Sequence, residues 1–412
     1  MPDAARVVIE HLRSGVPSPE VAAALSGARE PLLQAIERDM AARAGGDTTT
    51  AYRAITANYG DGKSHLLNAL GLRARERGWL VSTVTVSRES PLDQTERVYR
   101  KLAAHTRMPG VGRSGLGPLL DAVAARPEIV ERLLAQVWRD LHPKVALALE
   151  ARVRGHGDPV TVDEDLHGYR HSVADIRRAY QERTGDAPPR VERYLLGEHA
   201  FDYFRLVDAL VHALDLPGWL LLFDEVEMIS SLGRLGRARS YAFMGQVTDG
   251  RLLPHTFSVW MLSTNFRNRI VDDFDDPTHL APWLAQRNRE GLSRQIVRPL
   301  GALVGAAALA PLGDGELRQT FDAILEAHAR ALDWRPPLDG ATLLARILRR
   351  MPERDTKIRQ RVRAAVQYLD LLKLYGEEPR LIVRTVAEAT APGPDDDEPP
   401  EGLPVQRDWP DA

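Results

Sequence analysis

The sequence predicts an α/β protein with a mainly parallel sheet and helices on both faces, and three observations predict it. A short strand-like segment, "AYRAIT" (51–56), runs into a glycine-bearing turn and then into a helical pattern. "GWLLLFDEVEMIS" (218–230) is the strongest apolar run of the chain, as expected of a strand buried on both faces. Strand-like and helix-like segments alternate through the part of the chain that holds these two runs.

Taken in order, residues 3–14 and 28–43 read as amphipathic helices separated by "SGVPSPE". The strand 51–56 leads into the turn, and "HLLNALGLRARERG" is the helix that follows. "WLVSTVTVS" (79–87) has the β-branched, apolar character of a central strand, and "PLDQTERVYRKLAAH" returns to helix. Residues 105–215 form a long, mostly helical stretch. It is broken at "RMPGVGRSGLGP", "VRGHGDPV" and "RTGDAPPRVE", has no fixed repeat, and reads as an insertion. "RARSYAFMGQVTDG" is helix and turn, and "HTFSVWMLSTNF" (255–266) is a strand with a polar end. "GALVGAAALAPLGDGELRQTFDAILEAH" reads as a short strand, a turn and a helix. The expected sheet therefore has five parallel strands. The expected division is a helical N-terminal segment 1–50, a core 51–312 carrying the insertion, a helical lid 313–390 and an acidic, Pro-rich, disordered tail 391–412.

Composition narrows the function classes. With 412 residues, 44% hydrophobic and 27% charged, the chain is long enough for two or three domains of ordinary globular character. A net charge of -3 means that any nucleic-acid contact must come from a local patch. The absence of cysteine excludes disulfides, thiolate zinc sites and cysteine nucleophiles. No apolar run approaches the length needed to span a bilayer, and the N-terminus has no secretory pattern, so the expectation is a cytoplasmic protein without a membrane partner.

The turn itself is "ANYGDGKSHLL" (57–67). It follows the phosphate-loop pattern G-x-x-x-x-G-K-[ST] except that Ala57 holds the first position. In such a loop, backbone N–H groups converge on a phosphate at a helix N-terminus, and glycines permit the close approach. The expected nucleotide-contacting set is Asn58, Tyr59, Gly60, Asp61, Gly62, Lys63, Ser64 and His65. Lys63 would reach the β- and γ-phosphates, and the Ser64 hydroxyl would bind Mg²⁺. Ala57 adds only a methyl group where the strand gives way to the loop, which is tolerable at negative φ.

"LLLFDE" supplies the complementary half, expected to meet the Lys63 turn across adjacent parallel strands. Asp224, at the carboxyl end of a buried strand, would hold Mg²⁺, and Glu225 would polarise the attacking water. "VWMLSTNF" ends the next strand with polar groups able to touch a γ-phosphate, Asn265 being the first choice and Thr264 the second. Arg294 and Arg298 in "REGLSRQIVRPLG", and Arg359 in "ERDTKIRQRVRAAVQYL", are candidates to stabilise developing charge, beside Arg361 and Arg363. The basic segment from Arg346 to Arg384 suits either nucleic-acid phosphates or a solvated helix face.

With these motifs placed, the chain resembles an AAA+ P-loop ATPase of the initiator/STAND-like kind, and "GAREPLLQAIERDM" resembles that group's segment ahead of the loop. A closer resemblance is to the BrxD-like ATP-binding proteins of BREX phage-defence systems. It is carried by "VIEHLRSGVPSPEV", "ANYGDGKSHLLNAL", "SPLDQTERVYRKL", "RYLLGEHA" and "LVDALVHALDLPGWLLLFDEVEMI". The resemblance implies an ATPase with ATP and Mg²⁺ as cofactors, acting in defence beside a helicase, a DNA methyltransferase and a phosphatase-like protein. DNA contact and homo-oligomerisation stay open. The rival expectations are a nucleotide-gated switch with little turnover and an initiator or loader that binds duplex DNA, with a small-molecule phosphotransferase further behind.

Overall fold

The structure is a computed structural model that describes residues 2–25, 27, 29–349 and 357–376. The tail 391–412, and the basic segment at Arg350, Arg354 and Arg384, lie outside the described residues. The chain divides into two compact units, one from Pro17 to Gly313 and one that joins residues up to Val16 with those from Asp314 onward.

The larger unit is built on one sheet whose strands are β1 (Tyr52–Ala57), β2 (Leu80–Thr85), β3 (Thr106–Arg107), β4 (Trp219–Asp224), β5 (Thr256–Ser263) and β6 (Ala307–Ala308). Their order across the sheet is β3-β2-β4-β5-β1-β6. The expected sheet of five parallel strands is therefore corrected to six. The added strand is β3, a two-residue edge that pairs antiparallel with β2, whereas β2, β4, β5, β1 and β6 are mutually parallel. The stretch "GALVGAAAL" is also not a strand from its start. Its first four residues close the helix Glu290–Val304, and only Ala307–Ala308 pairs with β1.

Both faces of the sheet are covered, which is why β4 reads as an unbroken apolar run. On one face Ile55, Val81, Leu220, Leu222 and Val259 pack against Leu66, Leu67 and Leu70 of the helix Lys63–Glu76 and against Leu33 and Ile36 of the helix Glu30–Ala44. On the other face Leu80, Val84, Trp219, Leu221, Phe223, Trp260 and Leu262 meet the helix Arg234–Val247 and the helices from Gly117 to Ala213. Phe223 and Trp260 stack with ring centroids 3.9 Å apart, an arrangement worth about 0.5–1.5 kcal/mol beyond the burial itself. Buried Arg43 fastens the end of the helix Glu30–Ala44 to the start of β5. It donates to the carbonyls of Thr256 (3.1 Å), Gly250 (3.0 Å), Leu253 (2.6 Å) and Asp47 (2.9 Å).

The helical stretch between β3 and β4 has its own interior. Lys144, nearly inaccessible, forms an ion pair with fully buried Asp165 and donates to the Tyr203 hydroxyl at 3.0 Å. That hydroxyl donates to the second Asp165 oxygen at 2.8 Å, so the carboxylate is satisfied on both sides.

In the smaller unit the helix Pro2–Ser14 packs on the helices Asp314–Leu332 and Ile358–Tyr375. The Arg13 guanidinium donates to both Asp370 oxygens, at 3.0 and 3.1 Å, and the His328 ring lies 3.1 Å from the same carboxylate. Among the described residues no helix is long and apolar enough to cross a membrane.

Candidate functional site

The carboxyl ends of the parallel strands form the edge on which the sequence motifs meet. Ala57 ends β1 opposite Ser263 of β5, and Asp224 ends β4 opposite Thr85 of β2. Lys63 and Asp224 were expected to meet across adjacent strands. Adjacency is corrected: β5 lies between β1 and β4. Two strand spacings separate them, roughly 10 Å. The gap closes because the chain leaves β1 as a loop and re-enters a helix above the end of β5.

The loop geometry follows from its residue types. Ala57 holds extended strand backbone, where a methyl group is no obstacle. Gly60 and Gly62 take φ values of 87° and 92°, the left-handed region that only glycine enters freely. The Asp61 carboxylate accepts from the Asn58 N–H at 3.0 Å, and the Asp61 N–H donates to the Asn58 carbonyl at 3.3 Å, which closes the turn. Gly62 then caps the helix Lys63–Glu76 without a side-chain partner. The first-turn N–H groups of Lys63, Ser64 and His65 therefore have no intrahelical acceptor and point out of the helix end. Together with the helix dipole they make an anion-binding cradle.

Lys63 donates to the Ala57 carbonyl at 3.2 Å and lies 3.9 Å from Glu227 Oε1. The Ser64 hydroxyl donates to Asp224 Oδ2 at 2.7 Å, and Asp224 Oδ1 accepts from the Glu225 N–H at 3.0 Å. Loop and β4 end are thus in direct contact. Glu225 is in left-handed backbone, φ 56°, and exposed. Such a conformation in a non-glycine residue costs on the order of 1 kcal/mol or more and tends to cluster at functional sites. Partial desolvation of its carboxylate, then the charges of Asp224 and Glu227, hold the Glu225 pKa above its ordinary value, with Lys63 opposing.

At the end of β5, the Thr264 hydroxyl donates to Asn58 Oδ1 at 2.6 Å. Asn265, the first choice from sequence, opens the short helix Asn265–Arg267 and is exposed. The His65 ring turns away from water toward the Leu25 backbone. Burial and then the charge of Arg29 push its pKa down to about 4, so the ring is neutral at neutral pH. Arg294 and Arg298 stand on the exposed side of the helix Glu290–Val304, opposite buried Ile296, Pro299 and Leu300, and neither makes an ion pair among the described residues. Arg359 belongs to the helix Ile358–Tyr375 of the smaller unit.

Two further residues stand at this edge, Arg29 from the Arg-Glu that the resemblance sets ahead of the loop and Glu227, which has no role assigned from sequence. Arg29, in left-handed backbone at φ 65°, donates to the Asp61 carbonyl at 3.0 Å and to the Ala310 carbonyl, tying the loop to the chain after β6. Its signal was the Arg-Glu of "GAREPLLQ". Glu227 is brought to Lys63 by the 3₁₀ turn Val226–Ser231, and its signal was the second carboxylate of "DEVE".

Among the described residues no three His, Asp or Glu side chains converge as a metal cage. The protein offers one hydroxyl and one carboxylate side by side, at Ser64 and Asp224. That donor set suits a hard divalent cation whose remaining ligands are phosphate oxygens and water.

Residues 2–197 match the family model of the BREX system ATP-binding protein BrxC/D. The match includes the loop 57–65 and ends before Asp224, Glu225 and Asn265, so geometry alone joins β4 and β5 to the loop. No curated protein matches the chain.

Proposed function

We propose that the chain, whose residues 2–197 match the family model of the BREX system ATP-binding protein BrxC/D, is a P-loop ATPase of AAA+-like kind that hydrolyses Mg²⁺-bound ATP in phage defence. The observation that carries this reading is the 2.7 Å hydrogen bond from Ser64 to Asp224. A hydroxyl at a phosphate loop and a carboxylate from a different strand have one shared task in this chemistry, which is to hold the same metal ion. Bound there, the ion would supply charge neutralisation to the triphosphate.

The protein's own groups then divide the remaining work. First-turn N–H groups bind the phosphate oxygens, and Lys63 faces the β- and γ-phosphates. Glu225 orients the attacking water; its raised pKa keeps it a better proton acceptor than an ordinary carboxylate. Thr264, fastened to the loop, is better placed than Asn265 to sense the γ-phosphate from the side. Arg294, Arg298 and Arg359 are the candidates to stabilise developing charge, from the same chain or from a neighbouring copy. Helicase, DNA methyltransferase and phosphatase-like partners, and DNA itself, belong to this reading through the defence role.

The test is steady-state phosphate release with and without DNA. The parent protein is expected to turn over, and Glu225→Gln to bind ATP with turnover reduced at least about 100-fold, as loss of a general base implies. Turnover of Glu225→Gln at the parent rate removes the water-orienting role. A second reading, a switch that binds ATP with little turnover, is favoured by the exposed, left-handed Glu225. It predicts negligible phosphate release from the parent despite tight ATP binding.

A further inference from the structure

The carboxylate nearest Lys63 is not Glu225 but Glu227. We infer that Glu227 is the stand-in anion of the nucleotide-free site: it occupies Lys63 until a γ-phosphate displaces it, and thereby sets the preference between nucleoside triphosphate and diphosphate. The inference rests on the ATP-site reading above and deepens it.

Three observations carry it. Glu227 Oε1 lies 3.9 Å from Lys63 Nζ, and the two side chains are only 24% and 10% exposed. At that distance the pair is held by charge and not by a hydrogen bond, so a closer anion can replace it. Second, Glu227 Oε2 is buried without a hydrogen-bond partner. A half-satisfied buried carboxylate is costly to keep, and here its cost is offset mainly by the charge of Lys63. Third, Glu227 cannot retreat far. Its turn, Val226–Ser231, is anchored by fully buried Val226 and Ile229, and the Met228 N–H donates to the Glu225 carbonyl at 3.0 Å.

Lys63 must reach the β- and γ-phosphates if the loop binds a nucleotide. A γ-phosphate arriving at Lys63 therefore meets the Glu227 charge at close range, in a partly water-excluded site. A diphosphate, seated deeper against the loop N–H groups, meets less of it. Glu227 thus weakens triphosphate binding more than diphosphate binding, and ATP enters by taking Lys63 from it.

The experiment is equilibrium binding of ATP and of ADP, each with Mg²⁺, to the parent, Glu227→Gln and Glu227→Asp, with melting curves to verify folding. Glu227→Gln keeps the shape and removes the charge. It should raise ATP affinity by about tenfold and ADP affinity clearly less, so that the ATP/ADP affinity ratio rises at least about threefold. Glu227→Asp, which keeps the charge, should hold a ratio near that of the parent. An unchanged ratio in Glu227→Gln, or weaker ATP binding, overturns the inference while leaving the ATP site intact. A parent that binds neither nucleotide overturns the ATP-site reading, and this inference with it.

Discussion

Lys63 has three things to satisfy in this site: the Ala57 carbonyl, the Glu227 carboxylate and, by the proposed function, a triphosphate. A single ammonium group with three donors can do this only because the loop glycines bring backbone and side chain to one point. Lys63→Ala should therefore abolish measurable ATP binding, at least a 100-fold loss, while leaving the melting temperature within a few degrees, since its site partners are not core groups. Equilibrium nucleotide binding and a melting curve check both parts. Residue chemistry of this kind was legible in the sequence. Gly60 and Gly62 mark left-handed backbone, and Lys-Ser at a helix start marks an anion cradle, because each need is local. Glu227 was not legible in the same way. Its nearness to Lys63 depends on a 3₁₀ turn that nothing in "DEVE" specifies. Thr264 and Asn265 differ by one position at a strand end, and only the observed hydrogen bond to Asn58 separates them.

At the level of elements, three buried ionisable side chains, the pair Lys144–Asp165 and Asp208, govern how firmly the sheet and the helical stretch are held. Lys144 and Asp165 neutralise each other inside the helices between β3 and β4. Lys144→Met leaves the carboxylate buried and unpaired, which should cost about 3–5 kcal/mol, read as a lower denaturation midpoint. Lys144→Met with Asp165→Leu should recover most of that loss. Asp208, in the helix Asp202–Ala213, accepts from the Thr256 hydroxyl at 2.7 Å and the His255 N–H at 3.0 Å, tying that helix to the start of β5. Burial raises its pKa to about 6 against those hydrogen bonds and the charge of Arg43; the His255 ring stacks on His212 and has its own pKa lowered by burial. The folded pKa lies above the unfolded value, so this group's stabilisation is complete below the unfolded pKa and is lost as pH rises through about 6. The stability of Asp208→Asn relative to the parent should accordingly rise by about 1–2 kcal/mol between pH 5 and pH 8, measured by denaturant melts at each pH. Elements themselves were mostly legible, since periodicity and apolar runs are local properties. The two-residue strand β3 was not, because "TR" carries no strand pattern and pairs only at the sheet edge, and of β6 only the presence was legible, its limits being set by pairing with β1.

Across the whole molecule, the family match and the geometry meet from opposite ends. The match covers residues 2–197 and with them the loop, while β4 and β5 deliver Asp224 and Thr264 to that loop from sequence beyond it. Strand order was the least legible feature. That β5 lies between β1 and β4 is a long-range choice, and the meeting of Ser64 with Asp224 survives it because the loop spans the end of β5. The net charge of -3 leaves any DNA role to local patches, and the helices from Asp314 onward carry several arginines.

The most direct measurement of the central claim is ATP affinity with and without Mg²⁺ in the parent and in Asp224→Asn, by calorimetry on the full chain. Mg²⁺ should tighten binding to the parent at least about tenfold, and Asp224→Asn should lose most of this gain while still binding metal-free ATP. ATP affinity that ignores Mg²⁺ in the parent, or a gain that Asp224→Asn keeps in full, would contradict that claim.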